Sequence, residues 1–109
     1  MTYELRTYTA GPGKMDALLE RFRSLTIDLF TEHNIRSLGY WTPVGTDDTL
    51  VYLVQHDGDP QENWKAFGAD QRWIDGKAAS EVDGPLSTSI ESVMLEATDL
   101  YPEAEPRQR

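Results

Sequence analysis

Two histidines, His33 and His56, are the only imidazoles in this 109-residue chain. Histidine is the side chain that changes charge near neutral pH, so these two are the first candidates to move a proton. His33 falls at the end of an apolar helical stripe. A ring placed there can satisfy a last-turn carbonyl or, when protonated, the helix dipole, and this structural role is its plainer reading. The functional alternative is a general base, or an axial ligand to haem, at the mouth of a pocket. His56 ends an apolar run beside Asp57. The pair could orient an imidazole, but strand ends gather polar residues, and a surface position is the plainer expectation. Glu4, Arg6 and Tyr8 alternate and so share one strand face. The fork of Arg6 suits a carboxylate or an enolate-like oxygen, set against the simpler expectation of a structural Glu4–Arg6 ion pair. Tyr40 and Trp41 are neighbours and must point to opposite faces, while Trp64, Phe67 and Trp73 add aromatic bulk on the helical side. They can be core, or they can wall a flat apolar slot suited to a polycyclic or aromatic ligand. Phe67 fits the core. Trp41 and Trp73 fit a pocket better, because a buried indole N–H needs a partner.

Other chemistries find little support. With two His and no Cys, a metal site would have to be built from carboxylates, and no HxH or HExxH spacing occurs. No metal and no cofactor is expected. There is no GxSxG elbow, and Gly11-Pro12-Gly13 fits no nucleotide motif, which argues against ATP or NAD. The net charge of -9 and pI near 4.5 would repel a phosphate backbone, so nucleic acid is not an expected partner. The acidic residues stand singly or in pairs, as expected of a solvated surface. No apolar run approaches membrane-spanning length, and Met1-Thr2-Tyr3-Glu4 opens no signal-peptide pattern. The absence of cysteine is compatible with a cytoplasmic location, which is the expectation.

The elements that must position these residues follow from periodicity. Tyr3 to Thr9 reads as a strand, broken by Gly11-Pro12-Gly13. Met15, Leu18, Leu19, Phe22, Leu25, Leu29 and Phe30 recur at three and four, the stripe of one long helix that Asn34 can end in a left-handed conformation. Ile35 to Thr42 and Thr49 to His56 read as a hairpin around a polar turn. Asp59 and Pro60 start a helix carrying Trp64 and Phe67, which Gly68 is expected to interrupt. Asp70 can cap a second short helix with Trp73 and Ile74, Glu81 to Pro85 is a loop, and Ser87 to Thr98 is a fourth strand. The order β-α-β-β-α-β is that of a ferredoxin-like α+β domain with a four-stranded antiparallel sheet, over residues 1–98. A Pro- and Glu-rich tail, 99–109, is expected to be mobile.

Strand residues of both parities are apolar: Leu50, Tyr52 and Val54 against Val51 and Leu53, then Ile90 and Met94 against Val93 and Leu95. A sheet wet on one face would alternate apolar with polar. Helices cover one face, and a second copy of the chain is the simplest cover for the other, with a different protein or the tail as competing covers.

Three ordered motifs carry a resemblance. Tyr3-Glu4-Leu5-Arg6-Thr7-Tyr8-Thr9 with Gly11-Pro12-Gly13-Lys14, then Leu38-Gly39-Tyr40-Trp41-Thr42, then Asp70-Gln71-Arg72-Trp73, resemble NIPSNAP-family domains over about Tyr3 to Met94. The resemblance implies a homodimer whose two sheets pair as a dimeric αβ-barrel. Its wider fold includes cofactor-independent oxygenases, cyclases and haem-degrading enzymes, while NIPSNAP domains themselves have no generally agreed chemistry. The leading expectation is a homodimeric small-molecule-binding protein. If catalytic, it would hold a flat aromatic or polyketide-like compound against Tyr40, Trp41, Trp73 and Trp64, with His33 or His56 taking a proton and Arg6 stabilising the oxyanion. The alternatives are a non-catalytic structural or protein-interaction module, and a haem-binding protein using His33.

Overall fold

The computed structural model describes residues 2–100. The mobile-tail expectation for 99–109 falls, from 101 on, outside the described residues. Four strands form one antiparallel sheet in the order β2-β3-β1-β4: β1 Thr2–Ala10, β2 Ile35–Trp41, β3 Thr49–His56 and β4 Ser87–Glu96. This is the ferredoxin-like arrangement that the β-α-β-β-α-β order leads to, since the two crossovers set β1 and β3 side by side at the centre.

The first helical stretch is continuous from Met15 to Glu32 but changes pitch: α1 is Met15–Arg21, a π segment spans Phe22–Thr26, and α2 is Ile27–Glu32. The wide turn shows in the Ile27 N–H bonding the Phe22 carbonyl five residues back, and in the Thr26 hydroxyl bonding the Arg21 carbonyl at 3.3 Å. A π bulge adds a residue to one turn, so Thr26 takes the buried position and Leu25 is only partly buried. Asn34, at φ 65°, ends the stretch in the left-handed conformation.

α3, Pro60–Ala69, starts as expected, with the Asp59 carboxylate accepting from the Gln61 N–H at 2.9 Å and Pro60 in the first turn. Gly68 does not interrupt it. The helix runs through to Ala69 and stops at Asp70, whose side chain caps α4, Gln71–Ser80. β4 ends at Glu96, two residues before the expected Thr98.

The core lies between the helices and the β2-β3-β1 part of the sheet. Leu18, Phe22, Leu29 and Phe30 from the helices meet Tyr8, Ile35, Leu50, Tyr52, Val54, Phe67 and Leu86. β4 is different: apart from Ser87, every one of its residues is exposed. On the helix-facing side that leaves Ile90 and Met94 bare, and on the opposite side Val93 and Leu95, with Trp41 also exposed. Both faces of the sheet thus carry apolar side chains, as the strand sequences require.

Candidate functional site

Glu4, Arg6, His56 and Ser92, on the helix-facing side of the sheet, build a polar centre with Asn63 and Trp64 of α3. Glu4 on β1 is 1% exposed and His56 on β3 is fully buried. The expected surface position for His56 is therefore wrong. It shares parity with Leu50, Tyr52 and Val54, so the pleat turns it inward with them.

Glu4 is saturated with donors. Its Oε1 lies 2.8 Å from His56 Nε2 and accepts from Trp64 Nε1 at 2.8 Å. Its Oε2 accepts from Arg6 Nη1 at 3.0 Å and from the Ser92 hydroxyl. Burial pushes the Glu4 carboxyl up, but the bonds from His56, Ser92, Trp64 and Arg6 together outweigh it and hold the group at about 2, below its ordinary 4.5. It is a carboxylate at any physiological pH.

The tautomer of His56 follows from its other neighbour. Asn63 Nδ2 lies 3.1 Å from the Asp57 carbonyl and 3.3 Å from the Asn34 carbonyl, both pure acceptors, so the amide nitrogen and not its oxygen faces them. The same nitrogen is 3.1 Å from His56 Nδ1, which then accepts. The ring proton is on Nε2, pointing at Glu4. His56 holds the carboxylate in place and is enclosed by protein while doing so.

Arg6 completes the centre. Its Nε donates to the Tyr52 hydroxyl at 2.7 Å, Nη1 to Glu4, and Nη2 to the Tyr8 hydroxyl at 3.2 Å. The guanidinium lies over the Trp64 ring, 4.3 Å from its centroid. Its side chain is 15% exposed. The register places Ser92 of β4 directly opposite Arg6, Ile90 opposite Tyr8 and Met94 opposite Glu4. Arg6 therefore sits at the inner edge of an open shelf floored by Ile90, Ser92 and Met94. Burial drives the Tyr52 phenol well above its ordinary range, so it stays a neutral hydroxyl beside the cation.

The structure brings together three of the residues singled out by sequence: Arg6, His56 and Trp64 meet at Glu4. Tyr40 reaches the same layer through Tyr52, on which it stacks at 4.9 Å, and its hydroxyl bonds Ser37 at 2.8 Å. Burial raises the Tyr40 phenol to about 12. The others lie elsewhere. His33 Nε2 is 2.8 Å from the Asp70 carboxylate, at the seam of α2 and α4. Arg72 clamps that carboxylate and Glu32, and its bonds with those of His33 hold Asp70 well below the usual carboxylate range. Trp73 packs on Phe67 at 4.6 Å under the Arg21 guanidinium. Trp41, 54% exposed, faces away from the helices, the opposite side from Tyr40, and lies over Gly39. Asn63 and Ser92 complete the centre without having been singled out. Among the described residues, no group of three or more His, Cys, Asp or Glu is placed to hold a metal ion, and no helix is long and apolar enough to cross a membrane.

The family model described as NIPSNAP matches residues 3–102. Among solved structures, a NIPSNAP family protein of unknown function from Agrobacterium tumefaciens is 24% identical over 94% of this chain and 92% of its own, with a TM-score of 0.75. A NIPSNAP domain protein from Burkholderia xenovorans is 24% identical over 94% of this chain and 99% of its own, TM-score 0.74. A protein described as an antibiotic biosynthesis monooxygenase shares the fold at 13% identity, over 90% of this chain and 99% of its own, TM-score 0.63. No curated protein matches the chain.

Proposed function

This chain belongs to the NIPSNAP family, and on that premise we propose that it is a homodimeric small-molecule-binding protein whose ligand rests on the β4 shelf against Arg6. One observation carries the reading. A charged pair taken out of water is expensive and seldom improves stability over apolar packing, yet Glu4 is buried with four donors in an arrangement whose exposed end is the Arg6 guanidinium beside bare apolar residues. Such a centre makes sense as the rigid support of a binding group.

Within this reading Arg6 contacts the ligand, Trp64 and Tyr40 stiffen the wall behind it, and His56 acts through Glu4. Trp41, on the opposite face of the sheet, and Trp73, packed on Phe67 beneath Arg21, lie outside this binding surface. The shared fold with a protein described as an antibiotic biosynthesis monooxygenase favours an oxidation as reaction class, and the resemblance to the wider fold is what suggests a cofactor-independent oxidation or cyclisation of an aromatic or polyketide-like compound. The bare Val93 and Leu95 on the other face of β4 favour a second copy as its cover.

Native mass spectrometry of the purified protein tests the proposal. The expected result is a dimer carrying a small-molecule adduct, with Val93→Glu shifting the population to monomer. A monomer at micromolar concentration, free of adduct, would refute it. The non-catalytic alternative draws on the tightly packed aromatic layer of Phe22, Phe30, Tyr40, Tyr52 and Phe67, and it predicts a dimer that never carries an adduct.

A further inference from the structure

The charge balance and the unused donors of the Arg6 centre say what kind of head group belongs there. Arg6 and Glu4 cancel, and His56, with its proton on Nε2 and Nδ1 accepting, adds no charge. All the acceptor capacity of Glu4 facing the centre is taken by four donors. The guanidinium has five N–H groups. Three are spent on Tyr52, Glu4 and Tyr8. The second N–H of each terminal nitrogen has no hydrogen-bond partner among the described residues, and the side chain, on the sheet face it shares with Ile90, Ser92 and Met94, is 15% exposed. The centre therefore lacks an acceptor but has no surplus positive charge.

A carboxylate would supply the acceptor at the cost of a net negative charge beside the buried Glu4 carboxylate, in a chain already at -9. A neutral carbonyl oxygen supplies the same lone pairs without that cost. The surface on which the rest of the molecule would lie carries apolar side chains: Ile90 and Met94, 48% and 49% exposed, flank Ser92 on one strand face. Resting on the ligand-binding reading above, we propose that the site takes a flat, neutral, conjugated carbonyl compound, its oxygen on the two unspent Nη–H groups of Arg6 and its ring face on Ile90 and Met94. The matching carboxylate is the poorer ligand. Negative charge that developed on that oxygen during a proton transfer would fall on donors already held in place by Tyr52, Tyr8 and Glu4.

The test uses two probes of the same shape, 2-acetonaphthone and 2-naphthoate, titrated into the full chain. Proton–nitrogen spectra report the Trp64 indole N–H, which is bonded to Glu4, and carbon-labelled methionine reports the Met94 methyl. The expected result is that 2-acetonaphthone moves both signals and binds at least tenfold more tightly than 2-naphthoate. Arg6→Lys should lose that preference. Should Arg6→Lys fail to fold, Met94→Glu on the exposed floor replaces it and should abolish 2-acetonaphthone binding. Equal or tighter binding of 2-naphthoate, with both signals moving, overturns the neutral-carbonyl inference and leaves the shelf as a ligand site. Binding of either probe unaltered by Met94→Glu overturns the placement. If neither probe moves either signal, the inference fails, and the adduct measurement decides the wider reading separately.

Discussion

Replacing Glu4 by Gln keeps the shape of the side chain and removes its charge. The carboxylate accepts four hydrogen bonds, two on each oxygen. Glutamine offers one carbonyl oxygen and an NH2, so two donors keep an acceptor and two face other donors. Ser92 can rotate its hydroxyl to accept, but Arg6, Trp64 and the Nε2–H of His56 cannot. Breaking a buried ion pair by removing one partner costs about 3–5 kcal/mol, a large part of the roughly 5–15 kcal/mol that a domain of this size has in total. Equilibrium unfolding in urea at neutral pH should show that loss as a lower midpoint at unchanged slope.

The same group sets a pH signature. Its folded-state pKa is depressed, from 4.5 to about 2. The unfolded chain therefore takes up the proton first, and the contribution is complete above 4.5 and lost as pH falls towards 2. At about 1.4 kcal/mol per pKa unit this is at most about 3 kcal/mol, and nearer about 2 once solvent reaching Arg6 is allowed for. The difference in stability between wild type and Glu4→Gln should shrink by that amount across the window. A loss under about 1 kcal/mol at neutral pH, or a difference that does not vary between pH 4.5 and 2, would refute the reasoning.

Three further outcomes are expected. Gly76→Ala places a methyl against the movable end of Leu25 between α4 and the π segment; the displacement of Leu25 opposes the roughly 1 kcal/mol that alanine gains over glycine inside a helix, so the net change in urea unfolding should stay within about 1 kcal/mol. Gly39→Ala meets the exposed ring of Trp41, which can swing into solvent, so its cost should stay below about 1 kcal/mol and show as a change in Trp41 fluorescence. Added haemin should give no Soret band that depends on His33, because that ring is committed to Asp70, itself clamped by Arg72; a band lost in His33→Ala would reverse this.

Much of the fold is legible because its signals are local. The ends of β3, the Asp59–Pro60 start of α3, the Asp70 cap and the left-handed Asn34 each follow from residues within a few positions of one another. The π segment does not, since Leu25 and Thr26 both fit a stripe of threes and fours, and only the packing of Leu25 on Gly76 decides between them. The site divides in the same way. Glu4 and Arg6 on one strand face are readable, and parity with Tyr52 and Val54 was available to bring His56 inward. What pairs Glu4 with His56 is the antiparallel register of β1 and β3, and what brings Ser92 to Glu4 is the register of β4, eighty-eight residues away. No window of sequence contains those distances. Gly68 does not break α3 because its cost in a last turn is small beside the packing of Phe67.

The position of the polar centre bears on function more than its composition does. In the covered part of the sheet, apolar side chains fill the space under the helices, and an ion pair there would be a liability for stability. Over β4 none of the described residues excludes water, and an ion pair would be screened into insignificance. Glu4 and Arg6 lie on the boundary, on β1, with Trp64 and His56 on the dry side and Ser92 on the open one. At that line the dry side fixes the guanidinium through bonds to Glu4, Tyr8 and Tyr52, and two of its N–H groups have no partner among the described residues. A core built for stability alone has little to gain from a saturated carboxylate at its own edge, and a guanidinium fixed behind and open in front is what the proposed binding role calls for.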